Sequence, residues 1–254
     1  VTGAADTPFR LDRKVALVTG AGRGIGRAVA LALAAAGAEI VVNSRTPAEL
    51  DTVVGEIAEQ GGRARALPFD VTESAKARAA IAGIGHLDIL VNNAGMNRPQ
   101  PFLEVDDATL DRMIALNIKA AFVVAQAAAR LMAVAGSGVI VNMSSQMGHV
   151  GSERNRTAYV MTKHALEGLT KAMAVELALT GVRVVSIAPT FVMTPLTRPF
   201  FDDPETRKWI IDRIPLGRAG TVEEVANAVV FLCSPAAALV TGSSLLADGG
   251  WTAW

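Results

Sequence analysis

Tyr159 and Lys163, four residues apart in Tyr159-Val160-Met161-Thr162-Lys163, are the side chains whose types and spacing point most directly to chemistry. On a helix, positions i and i+4 share a face, so a phenol and an ammonium would project into one site. A free phenol titrates near pH ~10 and is a poor acid or base at neutrality, whereas a cation held beside it lowers its pKa and prepares it for proton transfer. Taken alone, such a pair is also what a solvated helix face carries by chance. Ser145 lies upstream, where an apolar run at 139–143 ends in Ser144-Ser145. A serine hydroxyl at a strand end and a tyrosine on the next helix can converge on one substrate oxygen, although a serine there can equally cap a turn.

The elements needed to position these groups follow from the hydrophobic pattern. Residues 15–18 form a short apolar run, followed by Thr19-Gly20-Ala21-Gly22-Arg23-Gly24-Ile25-Gly26 and an alanine-rich stretch to Ala36. This reads as a buried strand, a glycine turn and a helix, and it would let the backbone approach a diphosphate on the helix N-terminus. A plain tight turn would use the same glycines. Gly37 ends the helix and residues 38–43 make a second strand, followed by Ser44 and Arg45. An acidic residue there would hold a ribose 2′-hydroxyl; its absence, with Arg45 and Arg23 available for a 2′-phosphate, favours NADP(H) over NAD(H).

The alternation continues. A helix spans 47–60, a third strand 64–69 ends in Asp70-Val71, and a fourth at 87–91 runs into Asn92-Asn93-Ala94-Gly95. Asp70 could bond an adenine amino group or cap a helix starting near Thr72. Small and amide residues at 92–95 suit a backbone lying along a cofactor, or a simple turn. A long helix from about 107 to 134 carries Asn117 inside an apolar stretch, where it either holds an internal water or faces a wet groove. The helix bearing Tyr159 runs to 179, Gly181 stops it, and a sixth strand spans 182–187. Such alternation specifies an α/β fold with a parallel sheet covered on both faces and ligands at the carboxyl ends of the strands.

Whole-chain properties narrow the function. Lys plus Arg and Asp plus Glu both number 24, so no electrostatic argument supports nucleic acid or an anionic membrane as partner. The single Cys233 excludes an internal disulfide and fits a reducing compartment. With no signal-peptide pattern and no apolar run of membrane-span length in view, a soluble cytoplasmic protein is expected. His149 and His164 have no metal-ligand spacing, so no metal is expected. Residues 1–13 read as a loose leader before a single domain at 14–254.

The ordered set Thr19 to Gly26, Asp70, Asn92-Asn93-Ala94-Gly95, Asn117, Ser145, Tyr159, Lys163 and Asp248-Gly249-Gly250 resembles the short-chain dehydrogenase/reductase family over nearly the whole chain after residue 12. The resemblance implies a doubly wound, Rossmann-like sheet of about seven strands. It further implies that Tyr159 is the general acid in reduction and that Ser145 polarises the carbonyl. Lys163 would lower the tyrosine pKa and bond the nicotinamide ribose, and Asn117 would hold a relay water. Cofactor-binding positions implied are Gly20, Arg23, Gly24, Ile25 and Gly26; Ser44, Arg45, Asp70 and Val71; Asn93, Ala94, Gly95, Tyr159 and Lys163; and Pro189, Thr190, Val192 and Thr194. One departure stands out, because the family commonly has Pro-Gly where this chain has Pro189-Thr190, which restricts the backbone locally. Residues 190–220 would form the substrate lid, with Met193 and Leu196 toward substrate and Phe200, Phe201 and Trp209 either lid or satellite core. Asn97, Gln146 and His149 could bond a polyhydroxylated substrate. The expected activity is interconversion of a ketone and a secondary alcohol on a small sugar acid, polyol or keto ester. A 3-oxoacyl thioester reductase with a basic docking patch (Arg198, Arg207, Lys208, Arg213, Arg218) and a non-catalytic nucleotide-binding subunit are the alternatives. Alanine-rich long helices with apolar residues beyond one inner stripe suit a homotetramer.

Overall fold

A computed structural model describes residues 7–195 and 197–253. Seven strands, β1 (Val15–Thr19), β2 (Glu39–Asn43), β3 (Arg63–Ala66), β4 (Ile89–Asn92), β5 (Gly138–Met143), β6 (Val182–Pro189) and β7 (Ser244–Ala247), form one sheet in the order β3-β2-β1-β4-β5-β6-β7. Every neighbouring pair is parallel. The crossovers are α1 (Gly24–Ala35), α2 (Pro47–Glu59), α3 (Ser74–Ala82), α4 (Asp107–Ile114), α5 (Ala121–Ala135), α6 (Thr157–Leu177) and α9 (Val222–Cys233), with two short helices, α7 (Arg198–Asp202) and α8 (Pro204–Asp212), before α9.

Because strand side chains alternate between faces and helices cover both, the central strands are largely apolar, with most of their polar residues at the carboxyl ends. Val18, Val42, Val91, Val141 and Val185 pack on one face against Val29, Leu33, Val225 and Val229 of α1 and α9. Leu17, Val41, Leu90, Ile140 and Val184 pack on the other against Val124, Ala128 and Met132 of α5. Each such fully buried side chain stabilises by about 1.5–3 kcal/mol. Cys233 lies buried in the first of these cores, and burial pushes its thiol pKa up to about 12.

Three boundaries differ from the sequence reading. The third strand stops at Ala66 instead of residue 69, because the Asn43 side chain donates to the carbonyls of Leu67 and Phe69 (3.0 and 3.1 Å), replacing ladder bonds with side-chain bonds. Over its described part, the expected loose leader is docked: Leu11 is buried, its N–H donates to the Ala36 carbonyl, and the Pro8 carbonyl accepts from Ala236. The rest of the leader, residues 1–6, lies outside the described residues. The segment Asp107–Ala135, in which α4 and α5 are joined by a π-helical turn at Ala115–Ala120, is long and apolar enough to cross a membrane, contrary to expectation. Its inner face packs on the sheet.

At the amino edge of the sheet, Asp88 accepts from the Val15 N–H (2.9 Å), Lys14 Nζ (2.9 Å) and His86 Nε2 (2.9 Å). Burial alone would raise its pKa, but the Val15 N–H and the Lys14 ammonium, with His86 adding to them, more than offset that and hold it below the usual aspartate range. A depressed carboxyl pKa contributes stability that is present above the unfolded value and lost as pH falls through the folded value. Asp88→Asn should therefore lower the unfolding free energy at neutral pH by about 1–2 kcal/mol, modest because Lys14 and His86 are half in water. The difference from the parent should close as pH drops below ~4, followed by chemical denaturation across pH.

Candidate active site

The carboxyl ends of the strands carry a buried polar row, Asn43, Thr19, Asn92, Asn142 and Ser186, in an otherwise apolar sheet. Thr19 Oγ1 accepts from the N–H groups of Asn93 and Ala94, and Asn93 Nδ2 donates to the carbonyls of Thr19 (2.9 Å) and Gly20 (3.2 Å). The end of β4 is thereby tied to the start of the glycine turn, at the point where the strand order reverses between β1 and β4. Gly20 takes φ +64°, and a Cβ on Gly26 would lie 2.2 Å from the Gly20 carbonyl, so no larger residue fits the inside of this turn.

The turn delivers an open helix end. At the N-terminus of α1, Arg23 supplies no side-chain cap and the first turn holds no acidic residue. Its free N–H groups and dipole suit a diphosphate. Thr194 lies over Gly24, 3.7 Å from where its Cβ would be. Two further polar atoms, Thr190 Oγ1 and Asn97 Oδ1, are buried with no partner among the described residues. Groups of this kind normally find partners, and a dinucleotide would supply them. On these observations the residues fit such a cofactor. Thr190, despite standing where a glycine was expected, has no positive φ, so that departure carries no backbone strain.

Beyond the second strand, Ser44 closes a turn on Thr46. Arg45 is 79% exposed and reaches Asp70 loosely at 3.8 Å. Asp70 does not cap the helix as one reading had it: it accepts from the Thr72 N–H and hydroxyl in a turn, and α3 begins only at Ser74 with Glu73 at its N-cap. Val71 beside it is buried.

The candidate reacting groups follow β5 or lie on α6. Lys163 is buried, and its ammonium donates to the carbonyl of Met143, the last residue of β5, at 2.7 Å. Its Nζ lies 5.5 Å from the centre of the Tyr159 ring, so the two face one site. Ser145 follows β5, and its hydroxyl donates to Gln146 Oε1 (2.9 Å) while accepting from the Met147 N–H. Burial pushes the Lys163 pKa down to about 8, opposed by the charge of Glu167 one turn on. The net shift at Tyr159 is upward. Burial dominates, and Ser145 and the charge of Arg156 oppose it. Lys163 is not among the groups that lower it, contrary to expectation: the ammonium is engaged on the Met143 carbonyl, and the charge that acts on the phenol is that of Arg156.

Asn117 sits in the π-helical turn and is fully engaged: Oδ1 accepts from the Met96 N–H (2.9 Å), and Nδ2 donates to the Met96 carbonyl (2.8 Å) and Thr162 Oγ1 (3.1 Å). Thr162 in turn donates to the Tyr159 carbonyl. The side chain is buried and braces the π-helical turn against the segment after β4 and against α6, so it does not face a wet groove. His149 is bound to Ser244 (3.0 Å) and lies 3.3 Å from Glu167, which ties it to β7 and α6. Met193 is half exposed, Val192 and Pro189 are buried, and Leu196 lies outside the described residues.

Residues 190–220 form a separate apolar cluster, in which Phe191, Phe201, Ile210 and Ile214 bury Met147 and pack on Tyr159, Phe200, Trp209 and Trp251. Phe201 and Trp209 are thus part of a satellite core that includes the tyrosine itself. Three residues that the motifs did not reveal belong to the same neighbourhood: Arg156, Thr162 and Glu167, all buried. A polar residue inside the apolar stripe of the tyrosine's helix was the only available signal.

A doubly wound parallel sheet with a glycine cradle at its switch point, and a Ser-Tyr-Lys constellation on the same edge, defines a nicotinamide-dependent oxidoreductase. Comparison with known proteins agrees. The family model described as "Enoyl-(Acyl carrier protein) reductase" matches residues 20–252. The L-xylulose reductase of Bos taurus is 44% identical over 96% of this chain and 99% of its own. The galactitol 2-dehydrogenase (L-tagatose-forming) of Cereibacter sphaeroides is 40% identical over 98% of both. A crystal structure of a gluconate 5-dehydrogenase from Burkholderia cenocepacia, in complex with NADP and tartrate, superposes with a TM-score of 0.93 at 39% identity, covering 97% of this chain and 98% of that one. The chain belongs to the short-chain dehydrogenase/reductase family, and it is an oxidoreductase acting on CH–OH groups.

The lowered Lys163 pKa gives a pH signature. Its cationic form exists below about 8, whereas Tyr159 holds its proton well above that. With kcat/KM for the reduced cofactor reporting ionisations of the free enzyme, reduction should hold up to pH about 8 and then fall roughly tenfold per unit. A profile flat to pH ~10 would remove Lys163 from the reaction.

Proposed function

We propose that the enzyme interconverts a ketone and a secondary alcohol on a small polyhydroxylated substrate, with NADP(H) preferred to NAD(H) and Tyr159 as the acid and base. The observation that carries this reading is the buried Lys163 ammonium on the Met143 carbonyl, which holds Tyr159 and Ser145 at the same strand end as the glycine cradle. Gly20, Arg23, Gly24, Ile25 and Gly26 would take the diphosphate; Ser44, Arg45, Asp70 and Val71 the adenosine end; Asn93, Ala94, Gly95 and Lys163 the ribose at the other. Pro189, Thr190, Val192 and Thr194 would flank the nicotinamide. When bound, the nicotinamide supplies or accepts the hydride at the substrate carbon.

The protein's own part is proton handling and placement. In reduction the Tyr159 hydroxyl gives its proton to the carbonyl oxygen, and Ser145 donates a hydrogen bond to the same oxygen, stabilising the charge that grows there. Lys163 keeps a positive charge beside the phenolate left behind. The satellite core over Tyr159 excludes water, which strengthens both interactions. Gln146, buried beside Ser145 and accepting a hydrogen bond from its hydroxyl at Oε1, would offer its amide nitrogen to substrate hydroxyls. The relatives' substrates, a ketose and a hexitol, support a polyhydroxylated molecule. An acyl-carrier substrate is less well supported, since Arg213, Lys208 and Arg218 of the suggested docking patch are paired with Glu153, Asp212 and Glu224.

NADP(H) preference rests on Arg45, exposed and only loosely held at the end of β2, where an acidic residue would select NAD(H). Homotetramer formation is supported by apolar side chains left outside: Phe122 and Val134 on α5, Met161 and Val175 on α6, and Leu245 and Leu246 on the edge strand β7.

Four outcomes are expected. Purified protein given NADPH should consume it with polyhydroxylated ketones; Tyr159→Phe should reduce kcat by roughly 10²–10⁴, and Arg45→Glu should turn the cofactor preference toward NADH. Equal turnover by Tyr159→Phe would remove the tyrosine as acid. In light scattering the protein should run at four chain masses, and a monomer would exclude the proposed assembly.

A further inference from the structure

Arg156 is 6% exposed, three residues before Tyr159, at the N-cap of α6. It is delivered there by Asn155, whose backbone takes φ +55° and whose carbonyl accepts from the Gln100 N–H. The guanidinium lies over two aromatic rings of the segment that closes the pocket, 4.9 Å from the centre of Phe191 and 5.0 Å from that of Phe200. Among the described residues it has no hydrogen-bond acceptor and no carboxylate, and its Nε is fully enclosed without a partner. The charged groups around it are already engaged. Glu153 receives Trp209 Nε1 and Arg213, and Arg154 reaches Glu205 and lies over Trp209.

A buried guanidinium without a counter-ion is costly, and the two rings return only part of that cost. Its planar fork matches a carboxylate. Tyr159 is three residues on in the same helix and packs in the same cluster as Phe191 and Phe200, so an anion bound to Arg156 would lie in the neighbourhood of the phenol. One guanidinium balances one negative charge, which fits a carboxylate better than a dianionic phosphate.

We propose that Arg156 receives the carboxylate of the substrate, and that the preferred substrate is therefore a polyhydroxy acid and not a neutral polyol or ketose. This deepens the function proposed above and rests on it. Arg156 is a specificity-determining residue, while the proton remains the business of Tyr159. A purely structural clamp between α6 and the pocket cover would affect acid and neutral substrates alike.

The test compares an aldonic acid with the alditol of the same configuration, gluconate against glucitol, using the full-length enzyme with NADP. The parent should favour the acid by at least roughly tenfold in kcat/KM. Arg156→Met should reduce the acid-to-neutral ratio by roughly 30-fold or more, mainly through KM, and Arg156→Lys should restore part of it. Titrating tryptophan fluorescence of the cofactor complex gives an independent readout, because Trp209 and Trp251 pack on Phe191; saturable quenching by gluconate, weakened in Arg156→Met, is expected even where turnover is slow. Equal or better use of the neutral polyol by the parent overturns the proposal while leaving the oxidoreductase reading intact. So does an unchanged ratio in Arg156→Met, or a pH profile shifted identically for both substrates, which would assign Arg156 to the tyrosine proton alone. Preference for glucitol phosphate over gluconate would overturn the carboxylate in favour of phosphate. No turnover of any substrate would instead count against the function itself, and the quenching titration would then decide the fate of Arg156.

Discussion

The bond from the Lys163 ammonium to the Met143 carbonyl fixes the candidate active site, because it joins the second turn of α6 to the last residue of β5. An alanine-rich helix on a Val- and Ile-lined sheet offers little shape by which to choose one position along the strand direction. Polar bonds supply that choice. Asn142 Nδ2 donates to Thr170 Oγ1 at 2.8 Å, Ser186 donates to Glu167 Oε2 at 2.8 Å, and Asn117 donates to Thr162. Each is buried, so sliding the helix would leave several polar groups unpaired, each loss costing about 1–3 kcal/mol. The register of α6, and with it the placement of Tyr159 beside Ser145, is held by this set.

The two edges of the sheet divide the work. At the amino edge, Asp88 gathers the Val15 N–H, Lys14 and His86 and serves stability. At the carboxyl edge the polar row from Asn43 to Ser186 closes strand ends that could not otherwise be satisfied, and it leaves the Thr19–Gly20 carbonyls braced by Asn93. The glycine turn is thus clamped from β4 while its outer side stays open. Satisfying the edge and exposing the cradle are one arrangement.

Much of this was legible in the sequence because its signals are local. Short apolar runs, each followed by small or amide residues, mark parallel strands and the edge where ligands bind, and the spacing of Tyr159 and Lys163 needs only a helix to be read. What escaped depends on contacts across many residues. Asn43 truncates β3 by reaching Leu67 and Phe69, and Leu11 turns the described leader into packed structure against Ala36; neither partner is visible in local pattern. Asn117 was correctly singled out as a polar residue in an apolar stretch, but its partners Met96 and Thr162 lie 21 and 45 residues away. Arg156 was invisible for a related reason: in Glu153-Arg154-Asn155-Arg156 every residue looks solvated, and only the aromatic cover from 191 to 209 shows which arginine is turned inward.

The charge balance around Tyr159 explains why two cations accompany one phenol. Burial raises its pKa, which suits a group that must still hold a proton when a carbonyl arrives. The reverse reaction needs the phenolate, and each unit by which burial opposes it costs about 1.4 kcal/mol. Ser145 and Arg156 are the groups that oppose the burial, while Lys163 is itself weakened as a cation by burial, with Glu167 beside it acting to keep it charged. Arg156 remains cationic at any working pH and adds to the same balance from the pocket side. A substrate anion that neutralised Arg156 would remove part of that support and leave the phenol more firmly protonated. The identity of the substrate and the acidity of the tyrosine are therefore coupled through one buried guanidinium.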